Sequence, residues 1–286
     1  MRAVRTAPLI RPVIRPVIRP LIRPALHLAM LSALAATVGL NRSGWVVGIA
    51  CGVLVSAALV RGLARSGSDV LGPADQVTFV RATLVGGVAA LTAASFTATT
   101  PVTALVALVV VALILDAVDG WVARHTQSAS ALGARFDMEV DAFLILVLSV
   151  YVARSSGLWV LAIGTARYAF VAAGWLLPWL RASLPPRYWC KVVAATQGIT
   201  LAFATAAVLP RWLTETALAV SLALLTESFG REVWRLWRHQ RVRTIATRAC
   251  VGSSEPACVL EPQWRWETVP VSPARHGGRA LLSREP

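Results

Sequence analysis

At 286 residues, 56% hydrophobic and only 15% charged, the chain is too apolar for an ordinary soluble domain. Apolar runs of about 16 to 20 residues recur along it, the length that crosses a hydrocarbon core of roughly 30 Å. They are too long and too uniform for the strands of a membrane barrel, and a spanning backbone must satisfy its own hydrogen bonds, so the fold class is all-α and polytopic.

In chain order, the opening is an internal repeat, LIRP-VIRP-VIRP-LIRP from Leu9 to Pro24. A proline at every fourth residue argues against a regular helix, so residues 1–24 read as an extended basic arm. Beside a membrane, its arginines suit anionic lipid at about 1 kcal/mol each. A low-complexity extension without a specific role is an equal reading, and a secretory signal ending near Ala33-Leu34-Ala35 is a third. The close following of a second apolar run favours a hairpin over the signal.

Eight spans are expected: Ala25 to Leu40, Gly44 to Val60, Val77 to Thr97, Pro101 to Leu115, Phe136 to Ala153, Gly157 to Leu180, Lys191 to Leu209 and Trp212 to Phe229. The first two form an N-terminal hairpin (residues 25–60), a juxtamembrane segment fills 61–76, and six helices fill 77–230. Residues 231–286 alternate arginine with Trp234 and Trp237 and then accumulate Ser, Pro and Gly. They read as a short interfacial helix followed by a largely disordered basic tail, in which Trp264 and Trp266 could dock on the membrane. Cys51, Cys190, Cys250 and Cys258 lack zinc-like or disulfide-framework spacing and read as inert thiols.

The net charge of +14 is distributed by topology, not as a nucleic-acid surface. With a cytoplasmic N-terminus, one side collects the arm, Arg61, Arg65, Arg124, Arg135, Arg181, Arg187 and the cluster from Arg231 to Arg248, while the other receives Arg42, Arg154 and Arg211. This positive-inside bias puts both termini, and the loop between the fourth and fifth spans, on the cytoplasmic face.

That loop and its flanks, Leu115 to Asp141, hold five of the chain's 14 acidic residues. Asp116 and Asp119 are three apart and Asp137 and Asp141 four apart, so each pair shares one side of a helix. A glycine-bearing connection, with Gly120 and Gly133, joins two helix ends where four carboxylates converge. Near a bilayer such a group repels itself and needs a positive partner. Oxygen ligands without His or Cys suit Mg²⁺ or Mn²⁺, which commonly complete their coordination with substrate phosphates. The plainer account is solvated aspartates paired with Arg124 and Arg135; paired helical spacing and flanking glycines favour the metal–phosphate reading.

Asp116-x2-Asp119-Gly120-x2-Ala123-Arg124-x8-Gly133-x3-Asp137-x3-Asp141 resembles, at every specified position and spacing, the signature of the CDP-alcohol phosphatidyltransferase family. Pro73-x-Asp75-x2-Thr78-x2-Arg81 resembles the start of that family's first core helix, with Asp75 where Asn is commoner. Arg167-Tyr168 and the Lys191 to Gln197 spacing are similar to its later helices. The resemblance spans roughly Gly72 to Gly230; the hairpin, arm and tail lie outside it.

The resemblance implies a six-helix core and transfer of a phosphatidyl group from a CDP-linked lipid, most often CDP-diacylglycerol, to an alcohol with release of CMP, in phospholipid biosynthesis. It implies Mg²⁺ or Mn²⁺ on Asp116, Asp119, Asp137 and Asp141, with Asp141 as the general base. Asp75, Thr78, Arg81, Gly120, Ala123, Arg124 and Gly133 are implied to contact CDP. Arg167 and Lys191 are candidates for binding an acceptor phosphate; pairing of Arg167 with a core aspartate is the alternative. Partners are then the lipid donor, an alcohol, polyol phosphate or phospholipid acceptor, membrane lipids and a second copy of the chain, in the plasma membrane. Three competing readings are an intramembrane prenyltransferase, an ion or proton transporter, and an inactive family member acting as a scaffold. The first usually splits its aspartate motifs between two helical pairs, and the second usually repeats its site in each half of the chain; neither pattern is present.

Overall fold

The computed structural model describes residues 11–66, 73–126, 131–177, 179 and 188–252, with side chains described for most of them; those of Ala123, Arg124 and Lys191 are among the exceptions. Among the described residues the chain is helical and without strands: α1 (Arg11–Val38), α2 (Arg42–Ser66), α3 (Pro73–Ala94), α4 (Val102–Thr126), α5 (Ala131–Ser156), α6 (Leu161–Leu176), α7 (Tyr188–Ala206) and α8 (Arg211–Gly252). A 3-10 turn, Leu158–Val160, leads into α6. Four of these helices are long and apolar enough to cross a membrane, over Arg42–Arg65, Asp75–Ala94, Val102–Val122 and Leu158–Leu176. The protein is a polytopic all-α membrane protein.

α3 is the axis of the assembly. Its apolar stretch is 78% buried inside the protein, against 17 to 22% for the other three. It packs against α1, α2, α4 and α5, and α5 in turn packs against α6 and α7. The core follows this arrangement: Val85, Val88 and Leu91 of α3 meet Leu105 and Val109 of α4 and Leu144 and Leu148 of α5. Phe170 of α6 and Phe229 of α8 lie with ring centres 5.3 Å apart, joining those two helices.

Local chemistry explains the hairpin turn. α1 ends at Gly39, whose φ of 76° favours glycine and whose N–H donates to the Ala35 carbonyl at 3.1 Å. Asn41 then caps α2, its Oδ1 accepting from the Gly44 N–H at 3.0 Å. Its Nδ2 donates to the Ala94 carbonyl at 3.2 Å, tying the turn to the end of α3. Deeper in, His27 of α1 fills the space beside Gly52 of α2 and Gly86 of α3, where added Cβ atoms would lie 2.5 and 2.6 Å from its ring. The buried Nε2 is 2.8 Å from the Gly48 carbonyl, so His27 is a satisfied packing residue.

At the same end as Asn41, Arg154 of α5 donates to Ser95 Oγ at 2.7 Å and lies 5.0 Å from the Phe96 ring centre. The other end of α3, α4 and α5 carries the aspartates.

The structure departs from the sequence reading in three places. The proline repeat is helical from Arg11 rather than extended. The donors missing at Pro16, Pro20 and Pro24 would have met the carbonyls of Pro12, Pro16 and Pro20, so the loss falls on one stripe while the intervening donors close the ladder. α4 continues through Gly120 to Thr126, and α5 starts before Gly133, so Asp116 and Asp119 lie inside a helix rather than at its end. One glycine costs about 1 kcal/mol in a helix and does not break it. The expected short interfacial helix at 231 is instead part of the continuous α8. Residues 1–10, the expected tail 253–286 with Cys258, Trp264 and Trp266, and Arg181 and Arg187 lie outside the described residues. Of the thiols, Cys51 is buried and Cys190 exposed.

Candidate active site

Three helices each contribute a helically spaced pair to one end of the bundle: Thr78 and Arg81 on α3, Asp116 and Asp119 on α4, Asp137 and Asp141 on α5. Residues three or four apart on a helix share a face, so three paired faces can meet around one point.

The centre of that meeting is Arg81, whose side chain is 1% exposed. Its Nη1 lies 2.5 Å from Asp116 Oδ1, and its Nη2 lies 2.6 Å from Asp137 Oδ1 and 2.8 Å from Asp141 Oδ1. Nη2 also donates to the Asp137 backbone carbonyl at 3.2 Å. A guanidinium can serve several carboxylates at once because its donors are fixed in a planar fork. A buried cation is costly unless paired, and here pairing comes from two helices.

The carboxylates differ from Arg81 in exposure. The side chains of Asp116, Asp137 and Asp141 are 45%, 36% and 41% exposed, so they open outward while the guanidinium backs them from inside. One oxygen from each of the three can be chosen so that all lie within 4.8 Å of one another. Three carboxylates against one guanidinium leave an excess of two negative charges. Asp137 Oδ1 is buried against Nη2. Hard oxygen donors and excess negative charge fit a divalent metal such as Mg²⁺ or Mn²⁺.

Asp119 stands apart from this trio. It is buried, and its Oδ2 accepts from the Thr78 hydroxyl. Asp75 is buried in the first turn of α3, where a helix N-terminus favours negative charge. Gly120 lies within α4 and Gly133 in the first turn of α5, both half-buried. Ala123 and Arg124 fall on the last turns of α4. Arg135, considered as a partner for the aspartates, is exposed.

The two acceptor candidates are placed elsewhere. Arg167 of α6 is paired with Glu139 of α5, Nη2 to Oε1 at 2.5 Å, and not with a core aspartate. Lys191 lies in the first turn of α7.

Two features are not evident in the sequence: Arg81, expected at the nucleotide, is the counter-ion of three aspartates, and Glu139 is the partner of Arg167. The signal for the first was present: an arginine inside an apolar helix requires a partner or a polar cavity.

The family model described as CDP-alcohol phosphatidyltransferase matches residues 71–226. That match runs from just before α3 into α8 and leaves the α1–α2 hairpin outside. No curated protein and no solved structure matches the chain.

Proposed function

Since the chain belongs to the CDP-alcohol phosphatidyltransferase family, we propose that it transfers a phosphatidyl group from CDP-diacylglycerol to an alcohol, releasing CMP. The observation that carries this reading is the cluster of Asp116, Asp137 and Asp141, open on one side and backed by Arg81, with Asp119 beside it on α4.

Asp116, Asp137 and Asp141 would hold Mg²⁺ or Mn²⁺, with Asp119 as a further ligand of the same helix face. Such an ion, when bound, supplies positive charge against the pyrophosphate and the departing CMP. Asp141 takes the proton of the acceptor hydroxyl as its oxygen bonds to the phosphatidyl phosphorus and the bond from that phosphorus to the CMP oxygen breaks. Asp75 and Thr78 at the start of α3, with Gly120, Ala123 and Arg124 of α4 and Gly133 of α5, line the CDP side. The glycines and Ala123 let the nucleotide approach the backbone. Arg81 is the inner wall of this pocket.

Arg167 and Lys191 serve the acceptor. The Arg167–Glu139 pair is half-exposed, so an anionic acceptor can compete for the guanidinium. The arginine distribution supports a cytoplasmic site, with both termini on that side of the cell membrane. A homodimer is the assembly expected by family analogy.

The test is CMP release by the purified protein in detergent with CDP-diacylglycerol and Mg²⁺ or Mn²⁺. Glycerol 3-phosphate, inositol 1-phosphate, serine and phosphatidylglycerol are added one at a time. Release that depends on one acceptor and on metal establishes the activity and identifies the product. Release with none of them, from a folded protein, overturns CDP-diacylglycerol transfer to this acceptor set.

A further inference from the structure

The largest fully buried side chain among the described residues is a cation, and it sits where the metal reading places another. Arg81 comes from α3, the most enclosed of the four long apolar helices, and reaches Asp116 on α4 and Asp137 and Asp141 on α5. These three aspartates are the same ones whose oxygens can be grouped as a metal site. Without a positive charge among them, they would repel one another and push α4 and α5 apart at this end.

We propose that Arg81 is a built-in counter-ion that holds Asp116, Asp137 and Asp141 in register before metal binds, and that it competes electrostatically with a divalent metal for them. The proposal rests on the metal reading of the site. It makes Arg81 a positioning residue with two opposed effects: it assembles the ligands, and it weakens their hold on the ion.

Two features support this role over a plain packing role. Nη1 and Nη2 are both committed to carboxylates, so the fork spans the two helices that supply the ligands. Nε, by contrast, is buried without a hydrogen-bond partner, so the side chain is arranged around its carboxylate contacts rather than around full satisfaction of its own donors.

The competition has a sign. A fixed positive charge a few ångströms from a divalent ion opposes its binding, and low local dielectric strengthens the effect. Removing it should therefore tighten metal binding, even though the empty site is less well assembled. A ligand that binds only the folded state stabilises it more as its affinity rises, so the change is readable in thermal unfolding.

The experiment uses the full chain in detergent, with Mn²⁺ binding followed by electron paramagnetic resonance and unfolding followed with EDTA or with Mn²⁺. Arg81→Met should melt lower than wild type in EDTA, bind Mn²⁺ at least about tenfold more tightly and show a larger Mn²⁺-induced rise in Tm. Arg81→Gln removes the charge but keeps a hydrogen-bonding end, so its melting point in EDTA should also fall and its Mn²⁺-induced rise should exceed that of wild type. It carries the test if Arg81→Met does not fold. Equal Mn²⁺-induced rises in wild type and both folded variants would overturn the proposal, because a plain packing residue lowers Tm by the same amount with and without metal. Absence of Mn²⁺ binding by wild type itself would instead overturn the metal reading on which the proposal stands.

Discussion

The Thr78 hydroxyl donates to Asp119 Oδ2 across the contact between α3 and α4, and both residues are buried. This bond gives Asp119 a different environment from Asp116, one turn earlier on the same helix, which faces Arg81. Two aspartates of one motif thus have different partners on one neighbouring helix, spaced three residues apart so that each meets its own.

Thr78→Val keeps the shape of the threonine and removes the donor, leaving a buried carboxylate oxygen short of a hydrogen bond. The expected cost is about 1 to 3 kcal/mol of stability, read as a lower Tm in detergent. CMP release should fall as well, because Asp119 is no longer held in place, while Thr78→Ser should retain most of both. A valine variant with wild-type stability and activity would show that this bond has no part in the site.

Asp141→Asn separates chemistry from fold. The amide cannot take a proton from an acceptor hydroxyl, and loss of general-base action alone costs about 10²- to 10⁴-fold. The fold should survive, since the substitution also removes one of the carboxylates that repel Asp116 and Asp137. Helical circular dichroism and Tm near wild type, with CMP release reduced by at least two orders of magnitude, is the expected pair of results. Full activity would remove Asp141 from the proton-transfer role.

Much of this architecture is legible from pattern. Apolar runs separated by short charged connections foretell the helices, and spacings of three and four foretell that Asp116 and Asp119, and Asp137 and Asp141, share faces. The position of Arg81 is not legible in that way, because its partners lie 35 to 60 residues away and Thr78-x2-Arg81 reads equally well as a ligand-binding motif. Helix ends are misread for a different reason. Gly120 is unfavourable locally, but an apolar setting makes unpaired backbone so costly that the helix continues through it. Pairing of Arg167 with Glu139 instead of an aspartate depends on the α5–α6 contact, which no spacing within either helix encodes.

That contact is close because of a glycine. A Cβ on Gly164 of α6 would lie 2.7 Å from the Leu146 Cα and 2.9 Å from the Ser149 hydroxyl on α5. Backbone on the facing helix cannot step aside as a side-chain tip can, so Gly164→Ala should force the helices apart and destabilise by about 1 to 3 kcal/mol. Higher helix propensity of alanine, worth about 1 kcal/mol, offsets part of this. Gly164→Val should be clearly worse than alanine in thermal unfolding; an alanine variant that melts above wild type would show that the helices separate without cost.

Asn41 supports a different junction, where the hairpin outside the family match meets α3. Asn41→Ala removes the cap on α2 and the bond to the Ala94 carbonyl together. Loss of the cap alone costs about 0.5 to 2 kcal/mol. Asn41→Asp keeps an accepting oxygen for the Gly44 N–H but has no donor for Ala94, so it should fall between wild type and alanine. Equal melting points for the aspartate and alanine variants would locate the whole effect in the link to α3. CMP release at low temperature should be unchanged in both variants, since Asn41 lies at the end of α3 away from the aspartates.

The Arg167–Glu139 pair gives a test of acceptor charge. Both side chains are partly exposed, at 34% and 57%, so the pair itself contributes about 1 kcal/mol or less. Its larger effect is on what Arg167 can bind: Glu139 neutralises the guanidinium and repels a phosphate that approaches it. Glu139→Gln removes both obstacles while keeping the length and a hydrogen-bonding end. With a phosphate-bearing acceptor such as glycerol 3-phosphate or inositol 1-phosphate, KM should fall a few-fold with little change in kcat, and Arg167→Gln should raise it. With a neutral acceptor, KM should not move in either variant. Insensitivity of a phosphate-bearing acceptor to both substitutions would remove Arg167 from the acceptor site and leave its pairing with Glu139 as a tie between α5 and α6.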